Sequence, residues 1–178
     1  MSLFDKHSDL LHKAIGALHS RTFFAAFPEN PSPAVYGESA DSNGKETFQA
    51  MMGKKFEELN LVNPVAWIGQ EESPYTQDAL GITYPSFSVQ QLVEHSDTAY
   101  HQWRKVTAQE RTGILLESLE GIKSRFFEIA YATMHTTGQG YMMAFQAPGP
   151  HAADRALEAI AAGDEEMQRC PATALWDR

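Results

Sequence analysis

Seven histidines are the first residues of this chain whose chemistry invites a site, and their spacing argues against a shared metal ion. A helix offers two ligands to one ion at a separation of three or four residues, and none of the histidine pairs has it. His7 and His12 are five apart, and His95 and His101 are six apart. His151 and Asp154 are three apart but follow Pro150. An aspartate there, in a first helical turn, answers the positive end of the helix dipole. The paired carboxylates Glu57-Glu58 and Glu71-Glu72 are adjacent in sequence, so on any regular element they diverge and read as solvated surface. Asp164-Glu165-Glu166 falls at a helix end and reads as exposed as well. Cys170 is the sole cysteine, which excludes an intrachain disulfide, and with no base beside it the thiol reads as passive.

Phosphate-binding signatures are missing too. No nucleophile elbow, Walker loop or G-x-G-x-x-G turn occurs. Gly138-Gln139-Gly140 lacks the third glycine, follows no strand, and reads as a helix terminator. Met134, Tyr141, Met142, Met143 and Phe145 read as a packing surface rather than a ligand pocket. No residue is therefore assigned a catalytic, cofactor-binding or metal-binding role.

The elements around these residues are better signalled. Ser2 with Asp5 forms a capping box that opens a helix, and Leu3, His7, Leu10, Leu11, Ala14, Ile15 and Leu18 mark its apolar face. Residues 28–44 hold Pro28, Pro31, Pro33, Gly37 and Gly44, which predicts extended or turn backbone and no helix. Phe48, Met51, Met52 and Phe56 suggest a second helix. Val65 to Gly69 and Leu80 to Tyr84 are short β-prone runs, to be paired as a hairpin or to lie apart. Everything after Pro85 is helical in pattern. Ser88 with Gln91, and Thr107 with Glu110, are further capping boxes. Leu92, Val93, Ser96, Ala99, Tyr100 and Trp103 share a face of the helix behind the first, and Trp103 is expected to be largely buried there. Ile114, Leu115, Leu119 and Ile122 follow on the next helix. Phe127, Ala130 and Met134 lead into Gly138, Pro148-Gly149-Pro150 breaks the pattern, and a last helix carries Ala153, Leu157, Ile160 and Ala161.

A chain of 178 residues, 43% hydrophobic and 21% charged, has the composition of one folded domain and excludes a collagenous or disordered chain. Its net charge of −9, with Lys and Arg scattered singly, disfavours nucleic acid as a partner. The start is polar within five residues, and no run is long enough to cross a bilayer, so a cytoplasmic protein without a membrane partner is expected.

One set of strings is more distinctive than its parts. After Tyr84-Pro85 come Leu92, Ala99, Trp103-Arg104, Glu110-Arg111 and Leu115-Leu116, and then the turn Thr137-Gly138. Together they resemble the opening helices of aldehyde dehydrogenases. More narrowly, His135 to Gln139, Tyr141 to Ala147, Pro31-Ser32-Pro33, Val35 to Glu38, and Gly149 to Ala152 with Asp154-Arg155 resemble the phenylacetic-acid degradation proteins called PaaN. That resemblance implies a chain that is mainly α with a short β hairpin or two short strands, the N-terminal part of the α/β aldehyde dehydrogenase fold. It divides the chain into residues 1–61, N-terminal helices and a Pro-rich passage; residues 62–84, short strands; and residues 85–178, helices like the start of the family's cofactor domain.

The same resemblance implies oxidation of an aldehyde by a catalytic cysteine with NAD or NADP. The family's phosphate turn, oxyanion asparagine, general-base glutamate and nucleophilic cysteine match no position here, so the chain is expected to bind no cofactor and to be inactive alone. Its expected partner is the remainder of the dehydrogenase fold or a self-associated copy. The apolar end Ala172 to Trp176 favours a fragment over the competing reading, a stand-alone helical binding module. The fragment reading predicts open apolar surface on the faces of Ile114, Leu115 and Leu119, or of Leu157 and Ile160.

Overall fold

The computed structural model describes residues 1–170 and 173. The stretch Ala172 to Trp176 thus lies outside the described residues apart from Thr173. Helix α1 (Leu3–Ser20) opens with the Ser2–Asp5 capping box and ends at Arg21 in the left-handed region. Its His7, Leu11 and Ala14 are buried, on the face the periodicity marks. They meet α5 (Ala108–Lys123) and α8 (Ala152–Gln168), and these three helices pack pairwise. Gly113 makes the α1–α5 approach possible: a Cβ there would stand 2.5 Å from the backbone nitrogen of Phe4.

The Pro-rich passage departs from expectation. Residues 28–44 hold a short helix α2 (Pro33–Tyr36) and the start of α3 (Ala40–Met51). Pro33 stands at the first helical position, where a missing N–H costs nothing. Gly44 inside α3 weakens the helix locally by about 1 kcal/mol relative to alanine, but a Cβ there would overlap Phe127. Close packing of α3 on α6 (Phe126–Thr137) is what the glycine permits.

The β-prone runs pair, the first where the sequence puts it and the second shifted to its end. Strand β1 (Ala66–Ile68) is antiparallel to β2 (Tyr84–Ser86), with Trp67 opposite Pro85. Leu80 and Ile82 lie before β2 and are buried beside Phe48 of α3. Gly81, at φ 68°, turns the chain between them. Burial against α3 therefore takes these residues away from the ladder.

Helix α4 (Val89–Trp103) opens with the Ser88–Gln91 box and α5 with the Thr107–Glu110 box. Gly138 closes α6 at φ 70°, as expected of a terminator. Beyond it, α7 (Tyr141–Gln146) and α8 are separated at the Pro-Gly-Pro sequence, as expected: Gly149, at φ −93° and ψ −105°, leaves helical geometry and the two helices meet there at a kink. Gly149 sits against the Phe126 ring, so the kink is packed in the core.

The main core joins Leu11, Leu116, Leu119, Phe126, Phe145 and Leu157. An aromatic group closes its far side. Tyr36 meets the rings of Phe126, Phe127 and Phe145 at 6.3, 5.4 and 5.6 Å, all edge to face.

Candidate functional site

Four carboxylates join distant parts of the chain. At the start of α8, the buried Asp154 accepts backbone N–H groups of Ala26 and Phe27 at 2.8 and 3.3 Å. Burial raises its pKa against the pull of those two bonds. Burial and the Asp154 charge push the Tyr36 phenol up to about 12, and that hydroxyl donates to the Pro28 carbonyl at 2.5 Å. His151 turns the other way and pairs with Glu29 at 3.2 Å. The His151–Asp154 pair thus never converges, and no cluster able to hold a metal occurs among the described residues.

Between α1 and α5, the Glu117 carboxylate receives Lys6 Nζ and His7 Nε2, each at 2.6 Å. The Lys6 bond, then the His7 bond, holds Glu117 below the usual carboxylate range. Between α3, α6 and α7, Asp41 accepts the hydroxyls of Tyr131 and Tyr141 at 3.0 and 2.6 Å. Burial first, then the Asp41 carboxylate, raises both phenols, so neither serves as a base near neutrality. Neither Asp41 nor Glu117 was singled out in sequence, because partners 90 to 111 residues away leave no local signature.

The fourth arrangement corrects the reading of the acidic run. Asp164 is only 1% exposed, and it accepts the Thr112 hydroxyl at 2.7 Å and the Gln168 amide at 2.5 Å. Its place on the α5 side of α8 outweighs the mild cost of a carboxylate near a helix end. Glu57, Glu58, Glu71 and Glu72 are exposed, as expected, with Glu58 reaching Arg125 at 3.1 Å. Met142 and Met143 are exposed while Phe145 is in the core, so that group lines no common pocket.

A groove of about 390 Å³ lies between the end of α1 and the start of α8. Its floor includes Leu18, Phe24 and Leu157, and Arg21 and Arg155 stand among its lining residues. It offers apolar contact and charges of both signs, since Asp154 and Glu158 line it too, but no nucleophile with a base beside it. The four carboxylates are likewise engaged, each by at least one partner distant in the chain. They act as latches.

The surface of α4 is different. None of its residues is buried, and Leu92, Val93, Tyr100 and Trp103 are all exposed. Trp103, expected inside, is 42% exposed, with the Arg111 guanidinium 5.3 Å from its ring. The expected face formed, but the other described residues do not cover it. Ile114 and Leu115 of α5 are exposed too, whereas Leu119 and Leu157 are buried, so the open apolar surface lies on α4 and outer α5 and not on α8.

This architecture has a close counterpart. Over 99% of its length the chain superposes, with a TM-score of 0.93 and 44% sequence identity, on part of an NAD-dependent aldehyde dehydrogenase from Burkholderia multivorans, known from its crystal structure. The chain carries the fold of part of an aldehyde dehydrogenase. It spans 31% of the length of that enzyme. No family model matches the chain, and no curated protein matches it.

Gly138 precedes Gln139 and Gly140 between two helices, and a Cβ on Gly138 would meet Pro74 and Tyr75 at 3.3 and 3.2 Å. The strand-to-helix turn from β2 into α4 passes through Phe87 and Ser88 without a glycine, and Ser88 is occupied in capping. Cys170 is exposed beyond α8. No helix among the described residues is long and apolar enough to cross a membrane.

Proposed function

We propose that this chain belongs to the aldehyde dehydrogenase superfamily and supplies one structural part of an NAD-dependent dehydrogenase of phenylacetate breakdown, of the PaaN type. The observation that carries the reading is 44% identity to an NAD-dependent aldehyde dehydrogenase across 99% of the chain, with the fold kept. NAD is the cofactor by likeness to that enzyme, and the PaaN assignment rests on strings such as His135 to Gln139 and Gly149 to Ala152. The work is that of a cytoplasmic enzyme.

On its own the segment is inactive. Its carboxylates are engaged in joining distant parts of the chain, its exposed cysteine lies outside any built pocket, and its glycine turn packs against Pro74 and Tyr75. What it contributes is scaffold. The competing reading, a stand-alone binding module, requires α4 to have been repacked or made polar, because an uncovered apolar face costs about 25 cal/mol per Å². The exposure of Leu92, Val93 and Tyr100 speaks for the dehydrogenase reading.

Calorimetric titration of the chain with NAD and with NADP, beside an assay of aldehyde-dependent cofactor reduction, tests this. Neither binding at micromolar concentrations nor reduced cofactor is expected. Tight binding of either nucleotide, or turnover, would overturn the claim that the segment is inactive alone.

A further inference from the structure

Helix α4 is specified with care and then left unpacked. Its capping box satisfies amides at both sides of the helix start, with Gln91 N donating to Ser88 Oγ at 3.2 Å and Ser88 N to Gln91 Oε1 at 2.9 Å. Yet an isolated helix of 15 residues is marginal in water, and helices of this length persist through burial of a face. At about 100° per residue, Val89, Leu92, Val93, Ala99, Tyr100 and Trp103 fall within one stripe about 120° wide. Of these, Leu92, Val93, Tyr100 and Trp103 are 47, 49, 56 and 42% exposed.

Apart from Arg111, which reaches the Trp103 ring and carbonyl at the end of the helix, what holds α4 to the chain lies to one side of that stripe. Gln91 Nε2 donates to the Asn63 carbonyl at 2.9 Å, and the His95 ring meets Phe87 at 6.2 Å. Both residues sit on the flank of the helix next to the stripe, so the apolar face is turned outward. Ser96 lies in the middle of the stripe and Ala99 at its edge. Small residues there leave room for another backbone or side chain to come close.

We infer that the Leu92–Ala99–Trp103 face of α4 is a docking face for the polypeptide that makes up the rest of an aldehyde dehydrogenase fold. The inference rests on the dehydrogenase reading above and names the partner of that segment. The occupant follows from the comparison. The matching stretch keeps this fold inside a chain of which it forms 31%, so more than twice as much further polypeptide folds beside it there. The occupant brings an apolar surface to the stripe. Polar residues of α4, such as Glu94 and Thr98, lie outside the stripe and stay in water.

The test grafts this chain in place of the matching third of the Burkholderia multivorans enzyme and compares the graft with the 178-residue chain alone. Amides of α4 should exchange at least about ten-fold more slowly in the graft. Leu92→Glu and Ala99→Glu should lower the melting temperature of the graft by several degrees and leave that of the isolated chain unchanged, while Glu94→Gln changes neither. Equal exchange of α4 in both contexts, or a graft indifferent to both stripe variants, overturns the inference. So does an isolated chain that dimerises and is returned to monomer by Leu92→Glu, since a second copy is then the occupant. Aldehyde oxidation by the graft reports separately on the dehydrogenase reading. An inactive graft with protected α4 keeps the docking face and removes that reading. An active graft with unprotected α4 does the reverse.

Discussion

Trp103 and Phe126 are both aromatic residues on helices, and only their surroundings tell them apart. Phe126 is fully buried between Phe27, Tyr36 and Phe145, whereas Trp103 has solvent on its open side and Arg111 over its ring. Phe126→Ala should cost about 3–5 kcal/mol, the usual loss for a deleted core aromatic. Trp103→Ala should cost the isolated chain under about 1 kcal/mol, the value of an exposed cation–π contact. Urea unfolding of both variants decides the matter, and equal losses would contradict the packing described. Asp154 makes a second residue-scale claim. Its folded pKa lies above the ordinary 3.8, so the folded state holds the proton more tightly than the unfolded chain does. The stability this group provides is complete below 3.8 and is lost as pH rises through its raised value. Asp154→Asn retains an oxygen for Ala26 and Phe27 but cannot ionise. It should therefore gain stability relative to the wild type as pH is raised from acid to neutral. Urea midpoints across that range would contradict this if the difference shrank or reversed.

At the scale of elements, the contacts that matter are close approaches of backbone. Alanine normally strengthens a helix relative to glycine, yet Gly44→Ala should destabilise this protein by about 1–3 kcal/mol because the new methyl must displace Phe127. A thermal melt showing stabilisation would mean that α3 and α6 are not so close. The same residue explains part of what the sequence conceals. Glycine and proline clusters read locally as breakers, and residues 28–44 read as irregular, because the partner that makes Gly44 useful lies more than eighty residues away at Phe127. Pro148-Gly149-Pro150 is the opposite case: the break it signals is there at Gly149, and Phe126 packs against it. Capping boxes were legible because their donors and acceptors are three residues apart, and all three stand as read, at Ser2, Ser88 and Thr107. Periodicity showed which residues share a face, but not whether anything covers it. That is why the α1 face holds His7, Leu11 and Ala14 inside, while the α4 face, equally clear in sequence, leaves Trp103 outside. The latches at Asp41, Glu117 and Asp164 joined residues too distant for any spacing rule to reveal.

For the molecule as a whole, one three-helix packing of α1, α5 and α8 continues through α6 and α7 into α3, and the β1–β2 ribbon and α4 extend beyond it. The packed part is held together by hydrogen-bonded carboxylates and a closed aromatic core. The extended part, together with outer α5, carries open apolar faces. Such a division supports the proposal that this chain is one part of a dehydrogenase. The most direct measurement is NAD-dependent aldehyde oxidation by the Burkholderia multivorans enzyme after its matching third is replaced by this chain. The account predicts a folded graft that reduces NAD with aldehyde, with the isolated chain giving no reduced cofactor. A folded graft with no activity beside an active parent enzyme, or turnover by the isolated chain, would contradict it.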